Sequence, residues 1–276
     1  MNEVLRAQRG GAKALLLTVL GEFVLPAGGS VWTSSLVAAA DAVGIAEKNA
    51  RQAVARIGDR GLIESSRHGR TVRWSLTAEG RRLLESGTAR IYGFGNGAVH
   101  WHSEWLVAHC PVSESQRTLR NQLRTQLGFL GFGELSPSLL VSPHVERESQ
   151  LRDVLREMDL LSDSTIMRST TGTPDESSAL VKRAWSLDQL ADFYVDFSRS
   201  HEAQEPANAR AKFRAVVELV HDWRRFPFID PELPTELLPD QWAGALAAKV
   251  FHARHMAWSD GAQRWFADQE ALVTPR

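Results

Sequence analysis

Cysteine is nearly missing from this chain: among 276 residues there is one, Cys110. That excludes an internal disulfide and a multi-thiolate metal site, and it fits a reducing compartment. The thiol is expected as a small buried hydrophobe. Long apolar runs are also missing, none nearing the roughly 18 uninterrupted residues a membrane-spanning helix needs. Met1 to Lys13 has neither the apolar stretch nor the small-residue cleavage site of a secretory leader. The expected location is cytoplasmic, with no membrane partner. Catalytic signatures are equally scarce. His252 and His255 share a helical face, but no Glu follows the first as zinc peptidases require, and no third ligand is evident. No serine sits in a nucleophile elbow. No catalytic residue, metal or cofactor is therefore expected.

What is present is an ordinary globular composition, 43% hydrophobic and 24% charged, enough for two or three modest domains with cores of their own. The net charge of -1 conceals an asymmetry. Residues 1–92 carry 13 Lys and Arg against 8 Asp and Glu, and residues 93–276 carry 19 against 25. A basic end on an acidic body implies that the first part meets a polyanion.

Within that basic end, Ala12 to Leu25 repeats Leu15, Leu16, Val19, Leu20 and Phe23 at helical spacing, and Pro26-Ala27-Gly28-Gly29 stops the helix. Thr33 or Ser34 can cap a second helix, with Leu36, Val37, Ala40 and Val43 inward and Gly44 at its end. The short turn Gly44-Ile45-Ala46 leads into a third helix, Glu47 to Arg60, in the manner of a helix-turn-helix. Ala50, Ala53, Val54 and Ile57 face inward there, leaving Lys48, Asn49, Arg51, Gln52 and Arg56 on the outer and leading faces. Long donors and amides so placed can reach base edges or phosphates, with Arg51 and Gln52 the first candidates for base contact. Leu62 to Arg67 and Thr71 to Leu76 read as two strands around the tip His68-Gly69-Arg70. This wing would hold Arg67, His68, Arg70 and Arg73 against the backbone or in the minor groove. Thr77 and Gly80 open a closing helix towards Ile91.

Several segments resemble the PaaX-like family of regulators, the repressors of the phenylacetate degradation operon. They are Leu16-Leu17-Thr18-Val19-Leu20-Gly21-Glu22 with Pro26 to Trp32, then Ala50-Arg51-Gln52-Ala53-Val54-Ala55-Arg56-Ile57 with Gly61-Leu62, then Arg73-Trp74-Ser75-Leu76-Thr77 and Gly80. Far downstream, Phe226-Pro227-Phe228-Ile229-Asp230-Pro231-Glu232-Leu233-Pro234 runs into Leu237-Leu238-Pro239, Trp242 and Gly244 and resembles the family's C-terminal signature. The resemblance implies a homodimeric repressor of a catabolic operon on a partly palindromic double-stranded DNA operator. It also implies release by an acyl-CoA effector, typically phenylacetyl-CoA.

Beyond the glycine-rich Gly93 to Gly97, Trp105 to Cys110 reads as a buried strand. Ser113 with Gln116 reads as a capping box for a helix bearing Leu119, Leu123 and Leu127. Leu135 to Ser142 reads as extended, Val145 to Leu161 as helical and Ser164 to Thr170 as a strand. This alternation predicts a ferredoxin-like α+β domain, which resembles the family's middle domain and a CRISPR-associated endoribonuclease fold. A metal-dependent nuclease or hydrolase in that domain is the alternative function, but the first strand ends Ala108-His109-Cys110-Pro111 without the acidic residue such an enzyme needs for its metal. Where the family has Gly-x-Trp before Ser-Pro, this chain has Ser138-Leu139-Leu140. After a loose Thr171 to Ser178, three aromatic-rich helices are expected: one through Trp185, Leu187, Leu190, Phe193, Tyr194 and Phe197, one from Phe213 to Trp223, and one from Gln241 towards Trp265. Phe226 to Pro239 is expected as an ordered loop between them. The aromatics read first as core. Trp185 and Trp223 beside Arg224 and Arg225 would also suit a pocket for an aromatic acyl group with a charged tail. The expected architecture is multidomain α+β: a winged helix-turn-helix over 1–92, the ferredoxin-like domain over 98–172, and a helical dimerisation and effector domain over 178–276.

Overall fold

The computed structural model describes residues 11–95 and 101–273. Parts of the leader and linker readings, at Met1 to Gly10 and at 96–97, lie outside the described residues. The fold is mixed α+β with two antiparallel sheets, and the chain divides into two compact units. The first draws on residues up to Phe94, on Asp196–Pro227 and on the chain from Leu246; the second comprises Gly95–Val195 and Phe228–Ala245.

In the first unit, α1 (Ala12–Val19) continues into a π turn at Leu20–Val24, closed by Leu25 N–H donating to Leu20 O at 2.8 Å. The apolar stripe predicted an unbroken α-helix here. The wider turn carries Glu22, whose buried carboxylate accepts from His255 Nε2 at 2.6 Å and from the Tyr92 hydroxyl, the kind of local demand with which π turns are associated. β1 (Ser30–Trp32) leads directly into α2 (Thr33–Ala42). Neither Thr33 nor Ser34 caps α2. The helix begins at Thr33 itself, whose hydroxyl instead donates to Val72 O at 3.0 Å and accepts from Trp74 Nε1 at 3.0 Å. Gly44, at φ 80°, makes the turn into α3 (Glu47–Gly58). β2 (Ile63–His68) and β3 (Thr71–Leu76) form a hairpin pairing His68 with Thr71 across a two-residue turn, and the sheet order is β1-β3-β2. α4 (Ala78–Gly93) is capped by Thr77, which accepts from Gly80 N–H at 3.0 Å. A Cβ at Gly80 would lie 1.9 Å from Leu62 O, so only glycine lets α4 start this close to the strand.

The buried face of α1 meets the C-terminal helices α9 (Ala209–Trp223) and α10 (Ala243–Ala271). Phe23 packs on Phe213 and Phe266 with ring centres 4.6 and 5.4 Å apart. Trp32 N–H donates to Glu270 Oε1 at 3.0 Å, and Arg224 donates to Ala14 O and Thr18 Oγ1, each at 3.2 Å. Most of 178–276 packs with the first ninety residues in one compact unit, while its start and residues 228–245 fall in the second. An amphipathic stripe says that a face is buried and is silent about its partner.

His221 lies in this shared core, buried beside Thr18 Oγ1 at 3.4 Å. Burial first, then Arg224, lowers its pKa to about 4. Between that value and about 6.5 the unfolded chain binds more protons than the folded one, so stability is full above pH 6.5 and falls with pH through this window. Wild type should lose roughly 3 kcal/mol more than His221→Asn between pH 7 and 4, since each tenfold change in proton affinity is worth about 1.4 kcal/mol. Urea unfolding at both pH values checks this; parallel losses in the two proteins would refute it.

In the second unit, β4 (Glu104–His109), α5 (Arg117–Phe129), β5 (Gly133–Ser136), β6 (Leu139–Ser142), α6 (Glu148–Glu157) and β7 (Thr165–Thr170) follow in turn, with sheet order β5-β6-β4-β7, antiparallel throughout. Strand alternation sends Leu106 and Ala108 under α5 and α6, with Cys110, Leu123, Leu127, Leu151 and Leu155. Cys110 is buried, which raises its thiol pKa. Trp105 faces the other way, onto Val181, Leu187, Leu233 and Leu237. Three local expectations are corrected here. Leu135 to Ser142 is most of a hairpin rather than one extended stretch, because the chain reverses at Pro137-Ser138. Ser113 does not cap a backbone N–H; its hydroxyl bonds Gln116 Oε1 at 3.2 Å, and a 3-10 turn precedes α5. The supposedly loose Thr171 to Ser178 contains the start of α7 (Pro174–Ala184), held by a full capping box between Thr173 and Glu176, and α8 (Leu187–Glu202) follows it.

The proline-rich segment is ordered. Asp230 Oδ2 accepts from Tyr194 Oη at 2.6 Å, Pro231 O lies 2.9 Å from His144 Nε2, and Glu232 pairs with Arg147 at 3.0 Å. Burial raises the Asp230 pKa to about 6. Tyr194→Phe removes a donor from a buried carboxyl and should cost roughly 1–3 kcal/mol in thermal unfolding. A loss below a few tenths would show that solvent supplies the missing donor.

Candidate nucleic-acid interface

The surface is set by α3. Ala50, Ala53, Val54 and Ile57 are buried, at most 4% exposed, which anchors the helix and leaves Glu47, Lys48, Asn49, Arg51, Gln52 and Arg56 exposed along its leading and outer faces. A groove of about 350 Å³ runs beside the helix, lined by Thr33, Ser34, Arg51, Val54, Arg70, Thr71, Val72 and Trp74. The fold thus brings Arg51 of α3 and Arg70 of the hairpin tip to one concavity. Trp74 supports its floor through the bond to Thr33 and by lying against Gly58, where a Cβ would meet the ring at 3.1 Å.

The four wing residues divide. Arg67 and Arg70 are exposed at the tip. Arg73 is half-buried, its guanidinium 4.9 Å from the Trp32 ring centre and donating to Ser30 Oγ from Nε at 3.1 Å and Nη2 at 2.8 Å. His68 presents an edge contact to the same Trp32 ring at 5.5 Å and bonds Ser66 Oγ at 3.1 Å. Arg73 and His68 therefore hold the hairpin to β1, through a cation on an aromatic face and a T-shaped ring pair. Nothing at Arg73 or His68 revealed this, since Trp32 lies some forty positions upstream.

One further cation lies on α1: Lys13 has its pKa lowered by burial and then by the positive charges of Arg60 and Arg56. Lys13 was missed because α1 reads as a core helix.

Of the residues expected at an effector pocket, Trp223, Arg224 and Arg225 fall in the first unit and Trp185 in the second. Trp223 is fully buried, stacked on Phe251 at 4.7 Å and donating from Nε1 to Ile91 O at 3.1 Å. Arg224 beside it is committed to α1, and Arg225 follows at the start of the loop. Trp185 belongs to the second unit, stacked on Trp105 with ring centres 6.3 Å apart. Elsewhere, His255 is engaged by Glu22 and Tyr92. Among the described residues no three His, Cys, Asp or Glu side chains converge as a metal site would need, and no helix is long and apolar enough to cross a membrane.

Three family models match the chain in order: the PaaX-like protein model at residues 11–80, the PaaX protein central Cas2-like domain at 98–181, and the PaaX-like protein C-terminal domain at 185–268. The transcriptional repressor PaaX of Escherichia coli (strain K12) is 28% identical over 249 residues, covering 86% of this chain and 77% of the relative. Among solved structures, the uncharacterized protein Rv0674 from Mycobacterium tuberculosis aligns with a TM-score of 0.59 at 20% identity, covering 85% of this chain and 90% of that one. That likeness speaks to the fold alone.

Proposed function

The chain belongs to the PaaX-like family, and from that premise we propose that it is a transcriptional repressor, not an enzyme, that binds a double-stranded DNA operator sequence-specifically. The observation that carries this is the concavity joining the polar face of α3 to the hairpin tip, with Arg51 and Arg70 on its two sides. The order helix, strand, helix, helix, hairpin, helix supports a winged helix-turn-helix within 1–92. α3 would enter the major groove with Lys48, Asn49, Arg51, Gln52 and Arg56, and the wing would lie on the adjacent backbone. The strand order of the second unit, with both helices on one face, supports a ferredoxin-like reading of 98–172. The helices of 178–276 would supply dimerisation and the effector response in a cytoplasmic homodimer. The effector is an aromatic acyl-CoA such as phenylacetyl-CoA, and the target a catabolic operon of the phenylacetate type.

The test is a mobility shift on the intergenic DNA beside the gene, at two salt concentrations, with and without phenylacetyl-CoA. Specific binding released by the thioester is expected. Specific binding indifferent to it would keep the repressor and discard this effector, and no preference over mixed-sequence DNA would defeat the reading. Arg70→Ala should weaken operator and mixed-sequence DNA equally and reduce the salt slope by about 1, as loss of a phosphate contact does. Arg51→Ala should cost roughly 1–3 kcal/mol on the operator and far less on mixed DNA.

A further inference from the structure

The first residue of α3 is a carboxylate, an odd choice for a surface that faces phosphates. Its geometry accounts for it. Glu47 Oε1 accepts from Arg51 Nε at 2.8 Å and lies 2.8 Å from Nη2 of the same guanidinium. Both side chains are more than half exposed, at 60% and 56%. An exposed pair at this spacing contributes little to folding, so the contact matters for what it does to Arg51. A guanidinium offers two donor edges. With the Nε–Nη2 edge held by Glu47, the edge left to a ligand is Nη1–Nη2, which in Arg51 belongs to a side chain lining the groove between α3 and the hairpin tip. A two-donor edge of this kind matches O6 and N7 of guanine, and an arginine already fixed at its neck gives up less rotamer freedom when it binds.

Resting on the DNA-binding reading above, we propose that Glu47 is a positioning residue that aims Arg51 at a guanine and thereby sets specificity at that operator position. Glu47 pays in general affinity, because it places a negative charge beside the backbone, and returns discrimination.

The test compares Glu47→Ala, Glu47→Gln, Arg51→Ala and the Glu47→Ala/Arg51→Ala double variant on two duplexes of equal length. One is selected by the wild-type protein from a random library and the other is of mixed sequence. If wild type selects no sequence, the DNA-binding reading itself fails, before any variant is compared. Given a selected site, Glu47→Ala should bind mixed DNA slightly more tightly and lose about tenfold in the ratio of selected to mixed affinity. Glu47→Gln, which keeps an acceptor oxygen, should recover most of the ratio. The double variant should have the same ratio as Arg51→Ala alone, because Glu47 acts through Arg51. The proposal is overturned if Glu47→Ala raises both affinities by one factor, which marks Glu47 as a simple repulsive charge. It is equally overturned if the two single losses add, which makes Glu47 an independent base reader. Circular dichroism on each variant confirms the fold, which an exposed pair should leave unchanged.

Discussion

Trp223→Ala should lower the unfolding free energy by about 3–5 kcal/mol, the range found when a large aromatic is cut out of a packed core. The ring has no exposed surface. It stacks on Phe251 at an interplanar angle of 12° and touches Phe197, Phe226 and Phe94 with centres 5.3, 5.2 and 5.7 Å away. Truncation removes all four contacts and strips Ile91 O of its donor, so cavity and desolvation costs arrive together. Trp223→Phe, which keeps most of the ring contacts and loses the hydrogen bond, should cost roughly 1–3 kcal/mol. Urea unfolding followed by far-ultraviolet circular dichroism measures both. Trp223 also read as a candidate effector contact, and the same variant separates the roles. A protein that keeps wild-type stability and loses its response to phenylacetyl-CoA would make Trp223 a pocket wall and sink the core reading.

Glu22→Ala should follow it, at about 1–3 kcal/mol, because it removes the acceptor shared by two largely buried donors and leaves them unpaired. The Glu22 side chain is 9% exposed and serves both His255 and Tyr92, while its own carbonyl accepts from Gln263 Nε2 at 2.9 Å. Burial, reinforced by the Glu22 charge, pushes the Tyr92 phenol well above its ordinary pKa, so it stays a donor at every working pH. Tyr92 and His255 also contact each other at 2.8 Å. Glu22→Gln keeps one acceptor for two donors and should recover about half the loss. Differential scanning calorimetry would show the effect as a lowered Tm, and a drop of less than about 1 °C would mean that water replaces the carboxylate without penalty.

How much of this was readable beforehand depended on range. The hairpin was legible almost to the residue, because β-branched and aromatic residues flank a Gly-Arg tip and the chemistry is local. The turn at Gly44 and the cap at Thr77 were legible for the same reason. α7 was legible and overlooked: Thr173-Pro174-Asp175-Glu176 carries a capping box with proline at the first helical position. The serine at 113 had the same spacing to a glutamine, yet a 3-10 turn took the place of the box, so spacing alone does not decide a cap. At the site, the outward face of α3 was legible from its wheel, and the contribution of Arg73 was not, since it depends on Trp32 across the sheet. The π turn escaped because the partners of its Glu22, Tyr92 and His255, lie 70 and 233 positions away.

The N-terminal helices and the C-terminal helices share one core, with Phe23 set between Phe213 and Phe266 and α2 tied at its start to Glu270. This makes the N-terminal part a poor cassette for evolution or engineering. A chain cut after α4 would expose Phe23, which Phe213 and Phe266 now cover, and a graft onto a foreign sensor would need α9 and α10 to come with it. Under the proposed function, operator preference would drift by changes on the outer face of α3, whereas the N-terminal part would not be exchanged alone.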